Sequence, residues 1–192
     1  KSGILRGREF RMKDMYSFHA SQGDLDAYYD KAIGAYHRVF ERCGLGDSTY
    51  LTYASGGMFS KYSHEFQTLT PHGEDIVYVS HERKVAVNRE IFEEIKDEPE
   101  WKGVEFVEEK AIEVGNIFKL SSRFSDAFNL SFTDASAQKQ SILMGCYGIG
   151  TTRLVGTVVE KMHDTNGMIW PEEIAPYSLH LISLFNSSNA SP

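Results

Sequence analysis

The chain has 192 residues, 41% hydrophobic and 12% aromatic, enough to build one domain around a sizeable core. Its 20 Lys and Arg stand against 27 Asp and Glu, and a net charge of -7 excludes a general attraction to nucleic-acid phosphates, so any RNA contact is local or lies in other sequence. Cys43 and Cys146 fit no zinc spacing or disulfide framework and favour a reducing cytoplasm, and no apolar run reaches the roughly 18 residues a membrane helix needs.

Phe10, Met12, Tyr16 and Phe18 stand at even spacing, which predicts a strand in the first half of residues 9–18 with one buried face. Asp24 reads as the N-cap of a helix whose Leu25, Tyr28, Tyr29, Ile33, Tyr36, Val39 and Phe40 recur at three and four, ending at Gly44. Residues 50–53, a Gly56-Gly57 turn, residues 64–69, a Pro71-His72-Gly73 turn and residues 75–80 read as an antiparallel meander. The acidic stretch 87–109, with Glu90, Glu93, Glu94, Asp97, Glu98 and Glu100 before Trp101, reads as a solvated helix and linker.

Residues 113–120 and 141–147 are strand-like. Gly148-Ile149-Gly150 leads from the second into a helix over 151–162, with Leu154, Val155, Val158 and Val159 on one side. Trp170-Pro171 and Ala175-Pro176 break the chain before a last apolar strand at 179–185 and a polar tail. Strand runs mixed with two long helices, without βαβ alternation, predict an α+β fold with a mostly antiparallel sheet flanked by helices. The charged start at Lys1 and the polar end read as cuts in a longer protein.

Three clusters carry the chemistry: Arg6-Gly7-Arg8-Glu9-Phe10-Arg11-Met12-Lys13-Asp14, Glu113-Val114-Gly115-Asn116-Ile117-Phe118, and Gly145-Cys146-Tyr147-Gly148-Ile149-Gly150-Thr151-Thr152-Arg153. Singly each is weak, since glycines before a helix are more often a close-packed turn than an anion cradle and exposed arginines are the rule. In this order, Arg-x-x-x-Phe-x-x-x-Asp followed by Gly-x-x-Gly-x-Gly-x-x-Arg resembles the second half of motif 2 and motif 3 of class II aminoacyl-tRNA synthetases. With Ser63-His64-Glu65-Phe66, Gly73-Glu74-Asp75 and Trp170-Pro171 through Ile174-Ala175-Pro176 between and after them, the chain resembles the prolyl-tRNA synthetase family specifically, up to about residue 184.

The resemblance implies ATP-dependent activation of L-proline to prolyl-adenylate and transfer to tRNA(Pro), with ATP and Mg2+ as cofactors. It makes Arg6 and Arg153 catalytic through the phosphate charge, Phe10 a platform for adenine whose other face is the alternative place for Arg153, Asn116 a nucleotide contact and Glu113 the ligand facing ATP and its metal. Met12, Asp14, His64, Glu65, Phe118 and Cys146 match positions around proline, Cys146 as a small lining residue with no base beside it. No Ser-His-Asp signature is read, and the first step needs no protein base.

Departures matter equally. Motif 1, the first half of motif 2 and the residues holding the proline ammonium are not in this sequence, so little activation is expected of the polypeptide alone. The region 88–113 is too short for an editing module, so no hydrolysis of alanyl-tRNA in cis is expected. Ser121 and Ser122 stand where Gly and Thr are usual, and Asn116 where many bacterial relatives have His. Residues 1–178 are read as a partial catalytic domain, 179–192 as the start of an anticodon-binding domain or a tail, and the whole enzyme as a cytoplasmic homodimer. Against this stand a regulatory paralogue of the same fold, a ligase for another amino acid and a non-catalytic RNA-binding module. Arg6, Phe10, Glu113 and Arg153 count against the first, the prolyl-type residues around Met12 and Cys146 against the second, and the acidic charge against the third.

Overall fold

The computed structural model describes residues 2–58 and 60–184. A 3₁₀ turn at Gly3–Arg6 precedes β1 (Met12–His19), α1 (Gln22–Arg42), β2 (Thr49–Ser55), β3 (Tyr62–Leu69), β4 (Asp75–Ser80), β5 (Val85–Asn88) and α2 (Arg89–Ile95). Then follow β6 (Val107–Ser121), α3 (Arg123–Ala127), β7 (Ser131–Thr133), β8 (Lys139–Ser141), β9 (Leu143–Gly150), α4 (Thr151–Lys161), β10 (His163–Asp164) and β11 (Gly167–Met168). The fold is α+β, its main sheet ordered β1-β9-β6-β3-β2-β5-β4 and antiparallel except where β2 meets β5.

The expected meander is not the connection found. After the hairpin of β2 and β3 the chain turns across β6, where Thr70 N donates to Lys110 O at 3.0 Å, and Ala111 pairs with both Leu69 and Asp75. β4 therefore pairs with β6 and β5, not with β3, and β6, β3, β2, β5 and β4 close into a ring. Tyr50, Val77, Val79, Ala86 and Ala111 form one buried cluster among these strands. The stretch 87–109 is less solvated than its charge suggests: β5 ends inside it, and Ile91 and Ile95 of α2 pack with Trp101 while the acidic side chains named above stay exposed.

α1 covers one face of β9, β6 and β3. Its Leu25, Tyr29, Ala32, Tyr36 and Phe40 are buried, whereas Tyr28 and Val39 lie at the margin. Phe66 is fully buried with ring centroids 5.0 Å from Tyr36 and 5.3 Å from Phe40, a contact whose truncation costs about 3–5 kcal/mol in comparable cores. The cap is Ser21, not Asp24: Ser21 Oγ accepts from Asp24 N at 3.2 Å, and Asp24 sits in the first turn where the helix dipole favours an acid. At the other end Gly44, at φ 71°, lets its N–H reach Glu41 O and that of Leu45 reach Phe40 O, a Schellman closure that seats Leu45 in the core.

α4 buries Gly156, Thr157 and Val158, and Val155 is exposed, because the 3₁₀ turn packs on it: a Cβ at Gly156 would stand 2.9 Å from both Ile4 and Leu5 side chains. The predicted last strand does not form at 179–184, where Leu179, Leu181, Ile182 and Leu184 are exposed with no ladder partner among the described residues; Phe185 and the tail lie outside them. Among the described residues no helix is long and apolar enough to cross a membrane.

Candidate active site

The strand read from Phe10, Met12, Tyr16 and Phe18 exists, but it starts at Met12, runs to His19, and its apolar row is the open one. Phe10 is 59% exposed and Tyr16 53%, while Ser17 and His19 are buried on the α1 side. Period two reveals a strand but not which side is covered. Here the apolar row belongs to a concave face rather than to the core.

Cross-strand pairing aligns the open face. Asp14 stands opposite Gly148, Gly148 opposite Asn116, and Asn116 opposite Glu65; in the next row Tyr16, Cys146 and Phe118 are neighbours. Alternation alone would put Glu113 and Asn116 on opposite sides. The register of β3 against β6 shifts between Phe66 and Gln67, so Gln67 pairs with Glu113, and the irregularity brings both residues to one face. Asn116 Nδ2 then donates to Glu113 Oε1 at 2.8 Å.

Arg153, in the first turns of α4, closes this corner. Its Nη1 donates to Glu113 O at 3.0 Å and to Glu113 Oε2 at 3.1 Å, and its Nε to Leu5 O at 3.0 Å. Arg6 lies nearby with Nε 2.5 Å from Glu74 Oε2. The segment before β1 is tied to α4, since Arg11 N donates to Thr152 Oγ1 at 2.9 Å and Thr151 Oγ1 to Arg11 O at 3.2 Å.

Arg6, Phe10, Met12, Glu113, Asn116 and Arg153 line one pocket of about 390 Å³. Gly148 supplies its floor: a Cβ there would stand 3.0 Å from Asn116 Oδ1 and 3.2 Å from Met12 Cε. Two guanidinium groups, an exposed aromatic ring and a carboxylate in one concavity suit a planar base carrying phosphates. Among the described residues no cluster of three or more His, Cys, Asp or Glu is set to hold a metal. A single carboxylate beside ligand phosphates is nevertheless the donor set that Mg2+ commonly takes, and Glu113 fits it.

The residues expected around proline are divided. Met12 lines the pocket above and Asp14 is exposed next along the strand. Phe118 and Cys146 line an adjoining, strongly apolar cleft of about 460 Å³ with Tyr16, Phe18 and Met144. Burial pushes the Cys146 thiol up, which suits a lining residue and not a nucleophile. Glu65 is on the open face: its Oε2 accepts from Gln67 Nε2 at 2.9 Å and Asn88 Nδ2 at 3.2 Å, and burial, then the charge of Glu113, pushes its carboxyl up to about 7. His64 does not face the pocket, because its neighbour in the strand does; it lies beneath α1 with Nδ1 2.9 Å from the Tyr29 hydroxyl, and burial holds it down at about 4.

Two features escaped sequence reading. Glu74 was visible only as part of Gly73-Glu74-Asp75, without a role. Ser17, His19 and Asp24 do make a linear contact, His19 Nε2 2.7 Å from Ser17 Oγ and Nδ1 2.7 Å from Asp24 Oδ2. The Ser17 hydroxyl is buried and stands 3.0 Å from the Tyr147 hydroxyl, so the line ties α1 to β1 and β9 and offers no attacking group to a ligand.

The fold and this pocket define a class before they define a substrate. Residues 1–162 match the family model of the tRNA synthetase class II core domain (G, H, P, S and T), and the chain belongs to that family. Within it, the chain is 36% identical to a proline–tRNA ligase of Anaplasma marginale (strain St. Maries), over 98% of this chain and 47% of that one. It is 36% identical to another of Sulfurimonas denitrificans (strain ATCC 33889 / DSM 1251), over 94% of this chain and 46% of that one. A probable mitochondrial proline–tRNA ligase of Schizosaccharomyces pombe (strain 972 / ATCC 24843) is 34% identical over 95% of this chain and 43% of its own length. The chain thus spans about half the length of the curated relatives it matches. The fold also matches a crystal structure of prolyl-tRNA synthetase from Cryptosporidium parvum, complexed with L-proline and AMP, at TM-score 0.62 and 17% identity, covering 91% of this chain and 29% of that one.

Proposed function

We propose that the chain is the ATP- and proline-binding part of a proline–tRNA ligase. The observation that carries the reading is the gathering of Arg6, Phe10, Glu113, Asn116 and Arg153 around one pocket with an apolar cleft beside it. The curated relatives support it by name, and so does the proline-and-AMP complex of the Cryptosporidium enzyme.

In the whole enzyme a proline carboxylate oxygen attacks the α-phosphorus of ATP and pyrophosphate leaves. The terminal ribose hydroxyl of tRNA(Pro) then attacks the acyl carbon and releases AMP. Phe10 stacks on adenine, and Arg6 and Arg153 carry the charge of the outer phosphates, Arg153 through the terminal nitrogen that has no partner among the described residues. Glu113 would hold Mg2+, which would supply positive charge against the phosphates. Asn116 keeps the Glu113 carboxylate turned along the pocket.

Met12, Asp14, Phe118 and Cys146 shape the proline side, where Glu65 has one oxygen still able to accept. His64 acts only from behind the sheet, through Tyr29. Catalysis is alignment and charge stabilisation, with no protein base for the first step. Residues 1–178 form the catalytic part and 179–192 the start of an anticodon-binding domain or a tail; the whole enzyme works as a homodimer in the cytoplasm.

Thermal stabilisation by a non-hydrolysable prolyl-adenylate analogue, beside alanyl and threonyl analogues and ATP alone, tests the reading. Selective stabilisation by the prolyl compound is expected. A larger shift with another aminoacyl analogue overturns the proline assignment, and no shift with any of them removes the half-site from nucleotide binding altogether.

A further inference from the structure

We infer that Glu74 is a positioning residue for the nucleotide: its carboxylate grips Arg6 side-on and leaves both terminal guanidinium nitrogens free for the outer phosphates of ATP. The inference rests on the ATP reading above and adds a residue to it. Arg6 Nε is 2.5 Å from Glu74 Oε2, and neither Arg6 terminal nitrogen has a hydrogen-bond partner among the described residues. A guanidinium held through Nε keeps its two-pronged end in a fixed plane, the geometry that suits a phosphate.

Glu74 is itself held. The Ser2 hydroxyl donates to its Oε1, and that bond, with the one from Arg6, keeps the carboxyl below its ordinary range. The turn that carries it cannot slide: Gly73 N donates to Thr70 O at 3.0 Å, and a Cβ at Gly73 would stand 2.4 Å from the Ala111 backbone. Glu74 therefore mirrors Glu113, each acid holding one arginine of the same corner, and a small recess between Arg6, Arg153, Glu74 and Glu113 joins the two pairs.

Arg6 and Glu74 are 57% and 34% exposed in their side chains, so the pair adds little to stability and a loss of binding is separable from a loss of fold. The opposite idea, that Glu74 competes with phosphate for Arg6, predicts the opposite sign.

The test measures ATP and AMP affinity of the full chain for wild type, Glu74→Ala, Glu74→Asp, Arg6→Ala and the Glu74→Ala/Arg6→Ala double variant, with melting curves for each. Glu173→Gln, which loses an exposed pair to Arg42 elsewhere, is the control. Glu74→Ala is expected to weaken ATP about three- to tenfold with AMP unchanged, Glu74→Asp to recover part of it, and the double variant to lose no more than Arg6→Ala. Tighter ATP in Glu74→Ala, equal loss of ATP and AMP, or no change overturns the inference. A wild-type chain that binds AMP and ATP equally well also overturns it, and one that binds neither overturns the ATP reading and the inference with it.

Discussion

His64 and Glu65 are consecutive in β3 and face opposite sides of the sheet, His64 2.9 Å from the Tyr29 hydroxyl beneath α1 and Glu65 accepting from Gln67 and Asn88 on the other side. Their titrations oppose one another. Burial, then the charge of Lys119, holds His64 at about 4, so acid protonates the unfolded chain first and His64 costs stability as pH falls from about 6.5 to 4. Burial, then Glu113, lifts Glu65 to about 7, so the folded chain keeps that proton longer and stability is lost as pH rises from about 4.5 to 7. Each effect is worth up to about 3 kcal/mol, and over the shared window they largely cancel. Denaturant titrations between pH 4.5 and 7.5 are expected to be nearly flat for wild type, to fall with rising pH for His64→Gln, and to rise with pH for Glu65→Gln. Two variants with the wild-type slope would refute the assignment.

Arg153 has two jobs that substitution separates. Its Nη1 and Nε bonds join β6 to the Gly3–Arg6 turn, and its remaining nitrogen, without a partner among the described residues, is the one proposed above to meet phosphate. Arg153→Ala should lower stability by about 1–3 kcal/mol, since Glu113 is left half-buried without its cation, and should abolish measurable ATP binding. Arg153→Lys cannot reproduce the fork and should regain stability more than affinity. Equal recovery of both would mean that the charge alone matters.

Strand positions were largely legible because β-branched and aromatic residues alternate between turn residues: β3 and β4 fall where periodicity put them. Their partners were not, since pairing β4 to β6 depends on a crossing at Ala111 that no local spacing announces. Residue order singled out candidates from Arg6 to Arg153, and six of them, Arg6, Phe10, Met12, Glu113, Asn116 and Arg153, line one pocket. What could not be read was which face each strand presents: the open side of β1 is apolar, and the shift between Phe66 and Gln67 that turns Glu113 toward Asn116 leaves no mark in composition.

Gly145 protects the strut behind the site. A Cβ there would stand 2.3 Å from the Tyr147 hydroxyl and 2.8 Å from Ser17 Oγ, and Tyr147 is fully buried with no room to swing. Gly145→Ala should destabilise by about 1–3 kcal/mol and loosen the line from Tyr147 through Ser17 and His19 to Asp24. Because the clash is with the hydroxyl and its ring carbon, Tyr147→Phe in the same chain should recover part of the loss. A strictly additive double variant in thermal melts would show that the two positions do not interact.

Gly148 tests the pocket without the fold. It lies on the open face, three residues from Gly145 and so on the opposite side of the strand, where a Cβ meets Asn116 Oδ1 at 3.0 Å and the flexible end of Met12 at 3.2 Å. Met12 can move aside, and Asn116 is tied to Glu113 only through its other amide atom, so Gly148→Ala needs a shift of a few tenths of an ångström and should change stability by about 0.5 kcal/mol or less. In the proposed ATP site the floor nevertheless rises, and ATP affinity should fall several-fold with the melting temperature intact. Gly148→Val, which pushes Asn116 off Glu113, should weaken ATP further and release the Glu113 carboxylate. If Gly148→Ala melts lower but binds ATP as tightly as wild type, the floor of this pocket is packing and the nucleotide sits elsewhere on the sheet.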